Sequence, residues 1–156
     1  MHRRLLTFGD SWPHGDELDK LSEKPFPQLI AERLGWWYHN LSQSSTSIPH
    51  LIPQFQSAVD LSINGEYPFD LSDGSCSALF FLTTPSRDIR VFKNDEEVTI
   101  YEEISSGVKN TEWYYQNMHS PEMEEYRTNT TVLALLQLCS YYHIKPFFVW
   151  GWDTVN

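Results

Sequence analysis

Basic residues are scarce in this chain. Its 156 residues include 11 Lys and Arg against 21 Asp and Glu, a formal net charge of −10, and no basic stretch extends beyond Arg3-Arg4. Nucleic acid and anionic membrane surfaces recruit positive patches, so neither is an expected partner. Cysteine is nearly absent. Cys76 and Cys139 stand alone, with neither metal-type spacing nor a disulfide framework, which fits a reducing compartment. Residues 1–30 contain no apolar signal-peptide core and no small-residue cleavage site, and no apolar run is long enough to span a bilayer. The expectation is a soluble, cytoplasmic protein. No histidine has the His-x-x-x-His spacing of a metal site, and Gly9 and Gly15 lack the lysine and the spacing of a phosphate-binding loop. No metal and no cofactor are expected. Without repeats, low-complexity segments or linkers, the chain reads as one domain over residues 1–156, long enough for a real core.

Aromatics, by contrast, are dense: Trp36-Trp37-Tyr38, Trp113-Tyr114-Tyr115 and Phe147-Phe148-Val149-Trp150. Such clusters serve cores or interfaces. Along the chain, residues 3–8 read as a strand and residues 9–24 as a polar loop. Residues 25–34 read as a helix with Pro25 and Pro27 in its first turn and Gly35 as its cap. A short strand follows at 36–41. The polar turn 42–47 leads into a helix carrying Leu51, Ile52, Phe55 and Val59. Residues 60–75 read as loop, and the apolar run Ala78–Leu82 as a strand buried on both faces. Within 88–127 the pattern is irregular, with a short strand at 98–101 and a short helix at 113–118. That span is long for a connection and reads as an insertion or lid. Residues 128–142 read as a helix and 144–150 as a strand. Alternation of strands and helices predicts an α/β fold, a three-layer α/β/α sandwich with a mostly parallel central sheet of four or five strands.

The chemistry-bearing stretch is Phe8-Gly9-Asp10-Ser11-Trp12, directly after the first strand. Open α/β folds keep their chemistry at the carboxyl ends of strands. Gly9 permits a tight turn there, Ser11 stands at the mouth of the sheet, and its N–H can face a developing oxyanion. The plainer reading is a Gly-Asp-Ser turn whose side chains only cap backbone groups.

Thr7-Phe8-Gly9-Asp10-Ser11-Trp12-Pro13-His14-Gly15-Asp16-Glu17-Leu18 resembles the first block of the SGNH (GDSL-type) hydrolases. Phe26-Pro27-Gln28-Leu29-Ile30 with Leu34-Gly35 resembles the first helix of that family, and Asn40–Ser47 its second block. Phe80–Arg87 falls where its third block follows the third strand. The wording of these segments is closest to the small hydrolase-like proteins of tailed phages of the T4 type, which would place the chain in a host cytoplasm. The resemblance covers most of residues 4–87 and, more loosely, 128–150. It implies a serine hydrolase with Ser11 as nucleophile and Asp10 in a structural role.

Three departures accompany these matches. Ser45 stands where the family has an oxyanion-binding glycine. Thr83-Thr84-Pro85-Ser86-Arg87 replaces Gly-x-Asn-Asp, leaving Arg87 or Thr84 as substitute donors. The Asp-x-x-His block that supplies the base is replaced by Asp153-Thr154-Val155-Asn156, with no final helix. A serine hydroxyl is a poor nucleophile without a base in reach. Among six histidines, His14, three residues after Ser11, is the best in-chain base, and His50 beside the second block is next. His39 reads as a packed or surface strand residue, and His143 as lying far from the chemistry. His2 and His119 read as exposed loop residues. The acidic residues Asp16 and Glu17 near Ser11 read as solvated loop charges, not as a glycosidase pair.

Two functions follow. The first is a serine esterase taking a small acyl or acetyl ester. The second is a catalytically silent module that binds a protein partner, for instance in phage assembly. A last strand without a covering helix would favour a homodimer or a further segment of chain.

Overall fold

A computed structural model of the chain describes residues 3–16, 18, 23–44, 46–84, 88–93, 99–104 and 120–151. Among these residues, four parallel strands form a sheet in which Arg4–Phe8 lies between Trp37–Asn40 and Cys76–Leu82, with Lys145–Trp150 outside the last. They are β1 (Arg4–Phe8), β2 (Trp37–Asn40), β3 (Cys76–Leu82) and β6 (Lys145–Trp150). Helix α2 (Phe26–Leu34) packs on one face through Phe26 and Ala31, against Leu5 and Leu79. Helices α3 (Leu51–Ile63) and α4 (Pro121–Tyr141) cover the other, where Leu51, Phe55, Ala58, Leu135 and Cys139 meet Leu6, Phe8, Ala78 and Phe80. The expected α/β architecture, with helices on both faces of a parallel sheet, is the observed one.

Strand periodicity explains the split. Leu6 and Phe8 point to the α3–α4 side and Leu5 to the α2 side. Every residue of β3 is buried, as a central strand between two helical layers requires. Register then stacks aromatics across three strands. Phe8 pairs with Phe80 and Phe80 with Phe148, and their rings stack at 5.0 and 5.2 Å. Phe8 and Phe80 are fully buried, which contributes about 1.5–3 kcal/mol each, and Phe148 is partly buried.

Several boundaries differ from the sequence reading. Ser11–His14 forms a one-turn helix, α1, inside the expected loop. Helix α3 runs on to Ile63, and a 3₁₀ turn, Leu71–Asp73, interrupts the loop that follows. Helix α4 begins at Pro121, seven residues before the expected start. The Ser120 hydroxyl accepts from the Met123 N–H, and proline at the first position costs no hydrogen bond. Within the irregular span lies an antiparallel hairpin of β4 (Asp88–Lys93) and β5 (Thr99–Ile104), two strands where one was expected. The helix expected at 113–118 lies outside the described residues.

At the amino end of the sheet, Arg4 binds Asp73 at 2.5 Å and the Ser75 hydroxyl, and its guanidinium sits 3.9 Å from the Phe69 ring centre. His39, in β2, packs edge-on against Trp37 and Tyr67. His143 precedes β6 at this same end. Among the described residues no helix is long and apolar enough to cross a membrane.

Candidate functional site

The site is built from the segment that leaves β1. Gly9 follows the last residue of the strand, Asp10 caps α1, and Ser11 is the first helical residue. Asp10 is buried at 1% exposure, and its carboxylate accepts from the Trp12 N–H at 3.1 Å. Gly15 ends the turn with φ 97°, where a side chain would be strained, and donates its N–H to the Ser11 carbonyl. Gly9 is required for a different reason: an added Cβ would lie 2.6 Å from Pro13 Cγ and 2.8 Å from Phe81 Cβ.

Gly9 is also tied down by polar groups. Its N–H donates to Gln54 Oε1 at 2.8 Å. Its carbonyl accepts from Gln54 Nε2 at 2.8 Å, Thr46 Oγ1 at 3.0 Å and the Gln43 N–H at 3.0 Å. Gln54 is 2% exposed. A buried amide of this kind holds its place only when it is satisfied. Asn40 adds a further strap, donating Nδ2 to the Pro13 carbonyl at 2.8 Å and accepting from the Ser42 N–H. Loop 41–47 is thereby fastened to the Ser11 turn. Gln54, Thr46 and Asn40 were missed in the sequence. The readable signal was Gln54, a polar residue within the apolar stripe of Leu51, Phe55 and Ala58.

Ser11 is half-buried and Trp12 beside it is 48% exposed. Ser11 and His14 are three residues apart on one helical turn, a spacing that puts Cβ atoms about 5–6 Å from each other. No hydrogen bond joins them. His14 Nδ1 instead lies 2.5 Å from Asp16 Oδ1, and the Ser44 hydroxyl bonds the other oxygen, Oδ2. The hydrogen bond from Ser44 is the largest influence on the Asp16 carboxyl; burial opposes it, and the bond and charge of His14 add to Ser44 and leave the carboxyl below its usual range. Asp16 is exposed, as a loop charge is expected to be, and both its oxygens are engaged.

His50 closes a 3₁₀ turn (Ile48–His50), with Nε2 3.1 Å from Gln43 Oε1. Burial lowers its pKa. Thr84 lies just past the carboxyl end of β3, the strand beside β1, and is half-buried. Gly9, Asp10, Ser11 and His14 thus share one turn, with Thr84 on the neighbouring strand end. Ser45, Glu17, Arg87, Asp153 and Asn156 lie outside the described residues, as do His2 and His119. Among the described residues no group of three or more His, Cys, Asp or Glu side chains could hold a metal ion.

No family model matches the chain, and no curated protein matches it. Among solved structures it is similar to an acetyl xylan esterase from the rumen bacterium Butyrivibrio proteoclasticus, with a TM-score of 0.52 and 16% identity. The likeness covers 97% of this chain and 47% of that one. The chain spans about half the length of that esterase, and the likeness is one of fold.

Proposed function

We propose that the chain is a serine ester hydrolase of the SGNH type that takes a small acyl ester. One observation carries the reading: Ser11 opens a helical turn at the carboxyl end of a central parallel strand, and an imidazole stands on the same turn with one nitrogen held by a carboxylate. The fold likeness to an acetyl xylan esterase agrees with it.

In this reading Ser11 Oγ attacks the ester carbonyl carbon while its proton passes to His14 Nε2. The carbonyl oxygen becomes an oxyanion and is met by the N–H groups of Ser11 and Ser45, with the Thr84 hydroxyl or the Arg87 guanidinium as a further donor. The alcohol leaves with the proton from His14. Water then attacks the acyl-serine, giving its proton to His14, and the acid departs as Ser11 recovers its hydrogen. The Ser11–His14 hydrogen bond forms as substrate arrives, since such bonds are often long in the free enzyme.

The test is Ser11→Ala with an activated short-chain ester. Turnover should fall to background while the free energy of unfolding stays within about 1 kcal/mol of the parent. Turnover that survives the change would eliminate Ser11 as the nucleophile. A parent protein without turnover would favour the alternative, a silent module that binds a protein partner.

A further inference from the structure

The geometry points to Asp16 as the positioning residue of the site: it fixes the tautomer of His14 and ties the histidine turn to Ser44. This rests on the reading of Ser11 and His14 as nucleophile and base, and it adds a member that the family resemblance does not supply.

Hydrogen-bonding capacity decides where the His14 proton sits. An ionised carboxylate only accepts. Asp16 Oδ1 lies 2.5 Å from His14 Nδ1, so Nδ1 must carry the proton. A neutral imidazole has one protonated nitrogen, which leaves Nε2 as the acceptor. That is the nitrogen a base needs toward a serine hydroxyl. The other Asp16 oxygen is taken by the Ser44 hydroxyl, so the carboxylate cannot swing away without losing two partners. Ser44 precedes Ser45, the proposed oxyanion donor, in the chain. One carboxylate therefore links the base to Ser44.

The turn is built for this link. Gly15 reverses the chain between His14 and Asp16 at φ 97°, and the Asp16 N–H donates to the Ser11 carbonyl at 3.2 Å. The backbone of Asp16 is thus fixed on Ser11 itself while its side chain reaches His14. The pair is partly open to water, with side chains 48% and 36% exposed, so solvent weakens its hold.

The test reads the tautomer directly, by ¹⁵N NMR of histidine-labelled protein at a pH where the imidazole is neutral. His14 should show a protonated Nδ1 and an unprotonated Nε2. In Asp16→Asn and Asp16→Ala that preference should be lost or reversed, while circular dichroism and the unfolding midpoint change little. With the activated ester, kcat should fall about 10- to 100-fold with KM unchanged, less than the roughly 10⁴-fold loss for a buried triad aspartate. A wild-type His14 protonated on Nε2, or a tautomer unaltered in both variants, would overturn the proposal. The expected tautomers in a protein without esterase turnover would uphold the positioning by Asp16 and defeat the esterase reading alone.

Discussion

Replacing Gln54 with leucine removes two hydrogen bonds to one glycine, and the two losses are unequal. The Gly9 carbonyl keeps the Thr46 hydroxyl and the Gln43 N–H, so it stays satisfied. The buried Gly9 N–H loses Gln54 Oε1, the partner that holds it at 2.8 Å. An orphaned buried donor costs about 1–3 kcal/mol, against about 0.5–1.5 kcal/mol for an ordinary hydrogen bond. Leucine is of similar size and recovers some apolar burial, so a net loss of about 2–3 kcal/mol is expected. For a chain of this length that is a fall of about 4–12 °C in Tm. Thr46→Val is the control. It deprives the carbonyls of Gly9 and Gln43 of one donor but leaves the Gly9 N–H paired, so it should cost about 1 kcal/mol. Urea unfolding of both variants, with the slopes compared, measures the difference. A Gln54→Leu protein as stable as Thr46→Val would refute the claim that this buried amide secures the turn carrying Ser11.

Further expectations follow from the same contacts. Gly9→Ala forces a methyl against Pro13 and Phe81 and should cost about 1–3 kcal/mol in urea unfolding; a neutral change would mean that the turn relaxes freely. Burial raises the Asp73 carboxyl, but its bonds to Ser75 and Arg4 outweigh burial and leave its pKa lowered. A lowered folded pKa contributes stability that is present above the unfolded value and lost as pH falls through the folded one. Asp73→Asn should therefore flatten the acid side of the Tm-against-pH curve, and an unchanged slope would remove this pair as its source. His39 and His50 are lowered by burial, so charging them opposes folding. Stability should fall as pH drops below about 6.5, and His50→Gln should reduce that fall. Burial raises the Cys76 thiol and pushes Cys139 up to about 12; a thiol reagent should label neither in the native protein and both in denaturant.

Much of the fold was legible because the strands differ in how they are buried. The unbroken run Ala78–Leu82 announces a strand between two helical layers, and residues 78–82 lie within β3. The alternation across Leu5, Leu6 and Phe8 sends side chains to two cores. Helix α4 reads short in the sequence because its buried face, Thr128, Thr131, Leu135 and Cys139, begins only at Thr128, whereas its first turn is specified by the Ser120 cap, Pro121 and Glu122. Those signals sit at the edge of a segment without apolar periodicity. The Ser11 turn was legible as chemistry from Gly-Asp-Ser after a strand, but its helical form was not. Four residues are too few for periodicity, and α1 is fixed by capping from Asp10 and Gly15. The supports of the site were the least legible part. Gln54 reaches Gly9 across 45 positions and Ser44 reaches Asp16 across 28. Pairings of that length arise from tertiary approach, and no local pattern encodes them.

The central claim is that Ser11 is an activated nucleophile. Treating the protein with a fluorophosphonate and weighing it intact tests this directly, with Ser11→Ala alongside. One adduct per chain is expected, mapped to Ser11 and absent from Ser11→Ala. A folded protein that takes up no adduct, or takes it up equally after Ser11→Ala, would contradict it.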